Sequence, residues 1–296
     1  MTTKFNILNM RSLHIILLLT GFLIMFFTTS CSRNEDKDLS SSNKLIYLSV
    51  ENYPEISIKL DSVYRTVELL IPYNSSLLIQ KVRLHLEISK YATCNIDPAK
   101  EYDLTNPLTI SIVAEDNSAA IYTLNAKKCE GGKSALLVSD IQKGALPVFR
   151  EESFFANSNI VIDKAINANV PVYYIMDASL KGNPGWNLPD ILHYSENGKF
   201  IDKNDNDAFT NTILHRELLL NGVSQVYLIG LSSMGCIFST CKGSALLKYD
   251  LTLVSDAHDE STGYWEFTEA DIEKCNQIIR DSGIGKLVKA KDLEFK

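Results

Sequence analysis

"VYLIGLSSMGCIFSTCKGSALLKYD", residues 226–250, decides how the rest of the chain is read. An apolar, strand-like run ends in the small-residue stretch Gly230-Leu231-Ser232-Ser233-Met234-Gly235. Cys236 then opens a helix-like segment. The first N–H groups of a helix have no partner within it and point out of its end. A cysteine needed only for packing has no reason to sit there, so Cys236 is the candidate reactive thiol.

Outward from this stretch, strands alternate with helices. Continuous apolar runs at 134–140 (SALLVSD), 170–177 (VPVYYIMD), 223–230 (VSQVYLIG) and 250–257 (DLTLVSDA) read as strands buried on both faces. Helical patterns lie at 155–168, after Cys236, and at 207–222, the last closed by Asn221-Gly222. Thr268 and Asp271 form a capping-box pattern opening a final helix, and 285–290 (GKLVKA) adds a last strand. This predicts an α/β domain over 131–296, a doubly wound, mostly parallel, Rossmann-like sheet with helices on both faces. Sites in such sheets lie at the carboxyl ends of the strands. Asp140 closes the first strand and Cys236 follows the third, a base-and-nucleophile pairing at one edge.

Residues 44–130 have a different rhythm. Ile56, Ile58 and Leu60 alternate, as do Val82, Leu84, Leu86 and Ile88, and a tight turn at Asp116-Asn117 joins two strands. Short strands without a helix predict a small antiparallel β-sandwich. Its "VAEDNSAAIYTL" hairpin is similar to the last one of Ig-like modules, and its expected role is a spacer or a binding surface.

The first thirty residues read as a signal. Lys4 and Arg11 precede the apolar run Ile15–Phe27, and "TTSC" resembles a lipobox with Cys31 as the lipidated residue. Residues 31–43 read as a flexible polar tether whose Glu35, Asp36 and Asp38 resemble a surface-export signal. The expected location is the outer membrane, held through the N-terminal lipid and facing the periplasm or the cell surface. A net charge of −7 provides no basic footprint, which argues against nucleic acid as a partner. Of six cysteines, lipidation of Cys31 leaves five, so at least one is unpaired. Cys94 and Cys129 share a region and could pair. Cys275 falls on one helical face with Ile272 and Ile279, as a core residue would, and Cys241 is poorly placed to bridge to Cys236.

With these blocks in view, the chain resembles the isochorismatase-like hydrolase superfamily in its cysteine-hydrolase branch, which includes nicotinamidase and N-carbamoylsarcosine amidase. The likeness is carried by "ALLVSDIQ" with Asp140 and Gln142, by "GKFIDKNDNDAFTNTIL" with Lys203, Phe209 and Thr212, and by the Cys block with Gly230, Cys236 and Thr240. The resemblance implies a triad of Asp140, Lys203 and Cys236. In it, Cys236 attacks a carbonyl and Asp140 takes and later returns the proton. Lys203 and the helix start are expected to favour the thiolate. It further implies a cis peptide at Leu231–Ser232 and oxyanion donors at the amides of Ser232 and Cys236.

One departure stands out. Nicotinamidases carry an Asp/His/His metal site after the second strand, whereas here that loop has one histidine, His193. The expectation is therefore no metal and no cofactor. Trp186 and Phe209 are candidate substrate-pocket walls. The expected partner is a small amide or ureido substrate, and a homo-oligomer would add a neighbour's residues to the pocket. The competing reading is a surface binding or adhesion lipoprotein whose isochorismatase-like domain is inactive.

Overall fold

The structure is a computed structural model that describes residues 39–263 and 267–295. The signal, Cys31 and the acidic cluster Glu35, Asp36 and Asp38 lie outside the described residues. Among the described residues no helix is long and apolar enough to cross a membrane.

The first part is all β. Strands β1 (Leu45–Val50), β2 (Ser57–Asp61), β3 (Thr66–Ile71), β4 (Leu84–Ile88), β5 (Thr93–Cys94), β6 (Leu108–Val113) and β7 (Ala119–Lys128) form two sheets, one pairing β1 with β4 and one ordered β2-β3-β7-β6-β5. Alternate residues such as Val67, Leu69 and Ile71 meet Ile110, Ile112, Tyr122 and Leu124 in one core, as period-two patterning requires. The β6–β7 hairpin turns with Asn117 at positive φ (69°). An all-antiparallel module was expected, but β3 pairs parallel to β7. The end of the expected tether is docked too: Ser42 donates to Ser89 Oγ at 2.9 Å and Asn43 to Ser118 Oγ at 3.2 Å.

The second part follows with β8 (Lys133–Ser139), α1 (Glu151–Asn167), β9 (Val172–Asp177), β10 (Lys199–Lys203), α2 (Leu214–Leu220), β11 (Val223–Leu231), α3 (Phe238–Leu246), β12 (Asp250–Asp259), α4 (Glu269–Ser282) and β13 (Lys286–Val288). The six strands run β10-β9-β8-β11-β12-β13, and every pair is parallel. Chain order reverses between β8 and β11, which makes that boundary the switch point where α/β sheets place ligands. One face of the sheet packs Leu136, Val138 and Ile229 under α1 with Phe154, Val161 and Ile162. The other packs Leu137, Ile175 and Leu228 under Leu214, Cys241 and Cys275 from α2, α3 and α4.

Two elements depart from the sequence reading. The helix expected over 207–222 is only α2, because side chains take over the backbone before it. Asp207 accepts the Phe209 N–H at 3.1 Å and the Thr210 hydroxyl at 3.0 Å, and Thr212 Oγ1 donates to the Ala208 carbonyl at 2.7 Å. Such local bonds compete with helix formation. Strand β10 went unread, since its five residues form a half-exposed edge. The capping box at Thr268 and Asp271 is present at the start of α4.

The two parts belong to one compact unit, Leu39–Lys296. Glu55, fully buried, accepts Lys248 Nζ at 2.6 Å, and its backbone carbonyl lies 2.9 Å from His215 Nε2. Arg216 pairs with Glu68, and Leu219 packs with Leu70 and Cys129. A spacer reading did not include these contacts. Cys94 and Cys129 are both free thiols, so no bridge joins them.

Candidate active site

β8 and β11 lie side by side with Ser139 opposite Gly230, so their ends deliver Asp140 and the Cys236 turn to one place. Gly230 allows this closeness: its φ is 130°, and a Cβ there would lie 2.0 Å from the Ser139 carbonyl oxygen. Gly230→Ala is expected to cost at least about 2 kcal/mol through backbone strain; a midpoint in urea equal to wild type would contradict this.

After Gly230 the Leu231–Ser232 peptide is cis. A widened turn, Ser233–Ile237, kinks at Gly235 (φ −95°, ψ −105°) and runs into α3. Lys203 arrives from the other side, at the end of β10 opposite Asp177. Its Nζ lies 2.9 Å from Asp140 Oδ2 and 3.1 Å from Cys236 Sγ, and it also donates to the Asp205 carbonyl at 3.1 Å. Lys203 is 3% exposed and Asp140 5%. Ser139 adds a hydroxyl donor to Asp140 Oδ2 at 3.0 Å, whereas Oδ1 is buried without a hydrogen bond of ordinary geometry. The structure thus brings together the three side chains that the sequence left 63 and 33 positions apart (140 to 203, 203 to 236).

The charges distribute unequally. Burial pushes Asp140 above the usual carboxylate range against the pull of Lys203. For Lys203, burial opposes the charge, but Asp140 and Cys236 outweigh it and hold the ammonium protonated. Burial, then the Asp140 carboxylate, push the Cys236 thiol up to about 12, more than Lys203 offsets. This runs against the expectation of a resting thiolate: burial and the neighbouring carboxylate favour the thiol more than one shared ammonium favours the thiolate.

The flanking blocks are structural supports. Gln142 accepts the Asp177 N–H at 2.8 Å and donates to the Trp186 carbonyl at 3.2 Å, and Thr240 Oγ1 accepts the Ala208 N–H at 3.1 Å. Trp186 is half-buried against the α1-side core, with Lys181 Nζ 5.5 Å from its ring centroid. Phe209 stacks on Tyr249 with centroids 5.5 Å apart and is 8% exposed, so its ring is engaged in packing. Asn206, not singled out in the sequence, is exposed, with Oδ1 3.9 Å from Cys236 Sγ.

A metal of the nicotinamidase kind does not fit these residues. His193 Nδ1 is 2.9 Å from Asp163 on α1, and Asp177 Oδ1 accepts the Ser179 N–H at 2.9 Å. Among the described residues no three His, Cys, Asp or Glu side chains gather to hold one.

Comparison with known proteins matches residues 134–281 to the isochorismatase domain family. The curated "Uncharacterized isochorismatase family protein YrdC" of Bacillus subtilis is 26% identical over 140 residues, 42% of this chain and 73% of that one. A cysteine hydrolase from Pseudomonas syringae pv. phaseolicola has 18% identity and a TM-score of 0.48, covering 54% of this chain and 89% of its own. N-carbamoylsarcosine amidase from Thermoplasma acidophilum has 21% identity and a TM-score of 0.47, covering 55% and 99%. Half of the sequence, from the first strand of the parallel sheet to its last helix, matches one family model, and the chain belongs to the isochorismatase domain family.

Proposed function

We propose that this protein is a cysteine hydrolase that cleaves a C–N bond of a small amide or ureido substrate. The observation that carries it is the contact chain Asp140–Lys203–Cys236, at 2.9 and 3.1 Å, with the acid and the amine buried and the sulfur half-buried. Cys236 Sγ attacks the substrate carbonyl as its proton passes to Asp140, so the thiolate exists only along the reaction path. The tetrahedral oxyanion is held by the N–H groups of Ser232 and Cys236. Asp140 returns the proton to the departing nitrogen, and the resulting thioester is cleaved by water with Asp140 again as base. Lys203 keeps Asp140 ionised between these transfers.

The test is ammonia release from a panel of acetamide, benzamide, nicotinamide and N-carbamoylglycine by wild type and by Cys236→Ala. Turnover by wild type should fall in the variant by at least about 10⁴-fold, the scale of losing a covalent nucleophile. Equal release would remove Cys236 from the chemistry. Lipid on Cys31 is proposed to hold the protein at the outer membrane, with the β-rich part as an Ig-like module beside the enzyme. Cys31→Ala is then expected to move the protein into the soluble fraction; unchanged membrane recovery would count against the anchor.

A further inference from the structure

The turn that presents Cys236 is held from outside its own helix. In the parallel register Gly230 pairs with His258 and Leu231 with Asp259, which sets Glu260 beside Ser232. Glu260 is 0% exposed, and both of its carboxylate oxygens are spent on the turn. Oε1 accepts the Met234 N–H at 2.5 Å, and Oε2 accepts the Ser232 hydroxyl. The same strand end supplies a second hold: His258 Nδ1 lies 2.7 Å from Ser233 Oγ, and its Nε2 lies 3.0 Å from Asn276 Oδ1 of α4. Asp259 ties the arrangement to the start of α1, accepting the Glu260 N–H at 2.7 Å and the Arg150 N–H at 2.9 Å.

A buried carboxylate is costly to desolvate. Among the described residues Glu260 forms no ion pair, and its hydrogen-bond donors are a hydroxyl and a backbone N–H. Packing alone would be served by a small apolar residue at this strand end. What a carboxylate adds is two acceptors at a fixed separation, able to grip two residues of one turn at once.

We propose that Glu260 is a positioning residue for the nucleophile: it clamps Ser232 and Met234, and so holds the turn that keeps Cys236 Sγ against Lys203 and Asp140. This rests on Cys236 being the nucleophile. Glu260 touches neither the thiol nor its two partners in any hydrogen bond of the site, so it acts through the backbone it holds. Without the clamp the turn loosens and the half-buried sulfur moves away from Lys203, which it meets at 3.1 Å.

Iodoacetamide labelling of the intact chain at pH 8, with each cysteine followed by mass spectrometry, reads this without any substrate. Cys236 of wild type should label slowly. In Glu260→Ala it should label at least about fivefold faster, as a locally released thiol does. Cys129, Cys241 and Cys275 should stay protected in that variant. Glu260→Gln, which retains an acceptor for Met234 and a partner for Ser232, should return the rate to within about twofold of wild type. Ser232→Ala, which removes one arm, should accelerate labelling by at least about twofold. A Cys236 rate in Glu260→Ala within twofold of wild type, or a Gln variant as fast as the Ala variant, overturns the clamp. Should Glu260→Ala expose the three buried cysteines as well, Ser232→Ala decides: an unchanged rate overturns the proposal and a faster one supports it. The nucleophile reading is judged separately, by ammonia release from Cys236→Ala, so the two can fail independently.

Discussion

Lys203→Ala is expected to lower kcat/KM by about 10³-fold or more, within the usual range for losing a general acid–base element, and to narrow the working pH range. The ammonium is the cation paired with Asp140, which is 5% exposed, and it also contacts the sulfur. Once it is removed, only the weaker Cys236 and Ser139 hydrogen bonds oppose the burial that already raises Asp140. Below that raised pKa Asp140 carries a proton and cannot accept one from Cys236. With Asp140 as the proposed base, kcat/KM of wild type is therefore expected to fall as pH drops, starting above the ordinary carboxylate range. No matching loss is expected on the alkaline side near neutrality, since Asp140 and Cys236 hold the Lys203 ammonium protonated. In Lys203→Ala the acid limb should move to higher pH still. Arginine should not restore activity, because its planar fork cannot replace a compact ammonium between an oxygen and a sulfur. A Lys203→Ala enzyme with more than a tenth of wild-type kcat/KM, or with an unmoved acid limb, would show that the lysine does not tune Asp140.

The second large effect concerns stability, at the contact between the two parts of the chain. Glu55→Ala should cost about 2–3 kcal/mol, the scale of hydrogen bonds to a charged group. The change removes the acceptor for Lys248 at 2.6 Å and for the Ser75 hydroxyl at 2.9 Å. The backbone carbonyl that meets His215 remains, so the loss belongs to the side chain. For Glu55, burial opposes the charge, but the bonds from Lys248 and Ser75 outweigh it, and the pKa is lowered in the folded chain. The sign follows: its contribution is present above the unfolded carboxylate pKa and is lost as pH falls through the lower, folded value. Wild type should thus lose more stability than Glu55→Ala on acidification from neutrality to about pH 3. Equal urea midpoints for the two at pH 7 would refute the role. A chain beginning at Lys133 should fare worse, since it uncovers Leu219 and leaves His215 and Arg216 without Glu55 and Glu68.

Much of the α/β part was legible because strands buried on both faces are written as unbroken apolar runs, and the positions of Asp140 and Cys236 at strand ends follow from that. Lys203 was readable only through resemblance: KFIDK (199–203) is too short and too exposed to announce a strand. The balance of charges at Cys236 was not legible either, because a nearby ammonium can be guessed from sequence, whereas burial and the carboxylate's opposing effect on the sulfur cannot. Glu260 carried no signal, since its partners are set by the register of β12 against β11. Nor did the Glu55 contacts, whose partners stand 160 and 193 residues away. Side-chain bonds at Asp207 and Thr212 shortened a helix that apolar periodicity alone extends.

Asp140 holds a positive φ of 55°, a region that asparagine and aspartate enter more readily than other side-chain-bearing residues. Asparagine could take its place with the backbone undisturbed and an oxygen still offered to Ser139 and Lys203. On this scaffold, exchanging one oxygen for one –NH₂ would turn a machine that cuts its guest into a cradle that merely holds it.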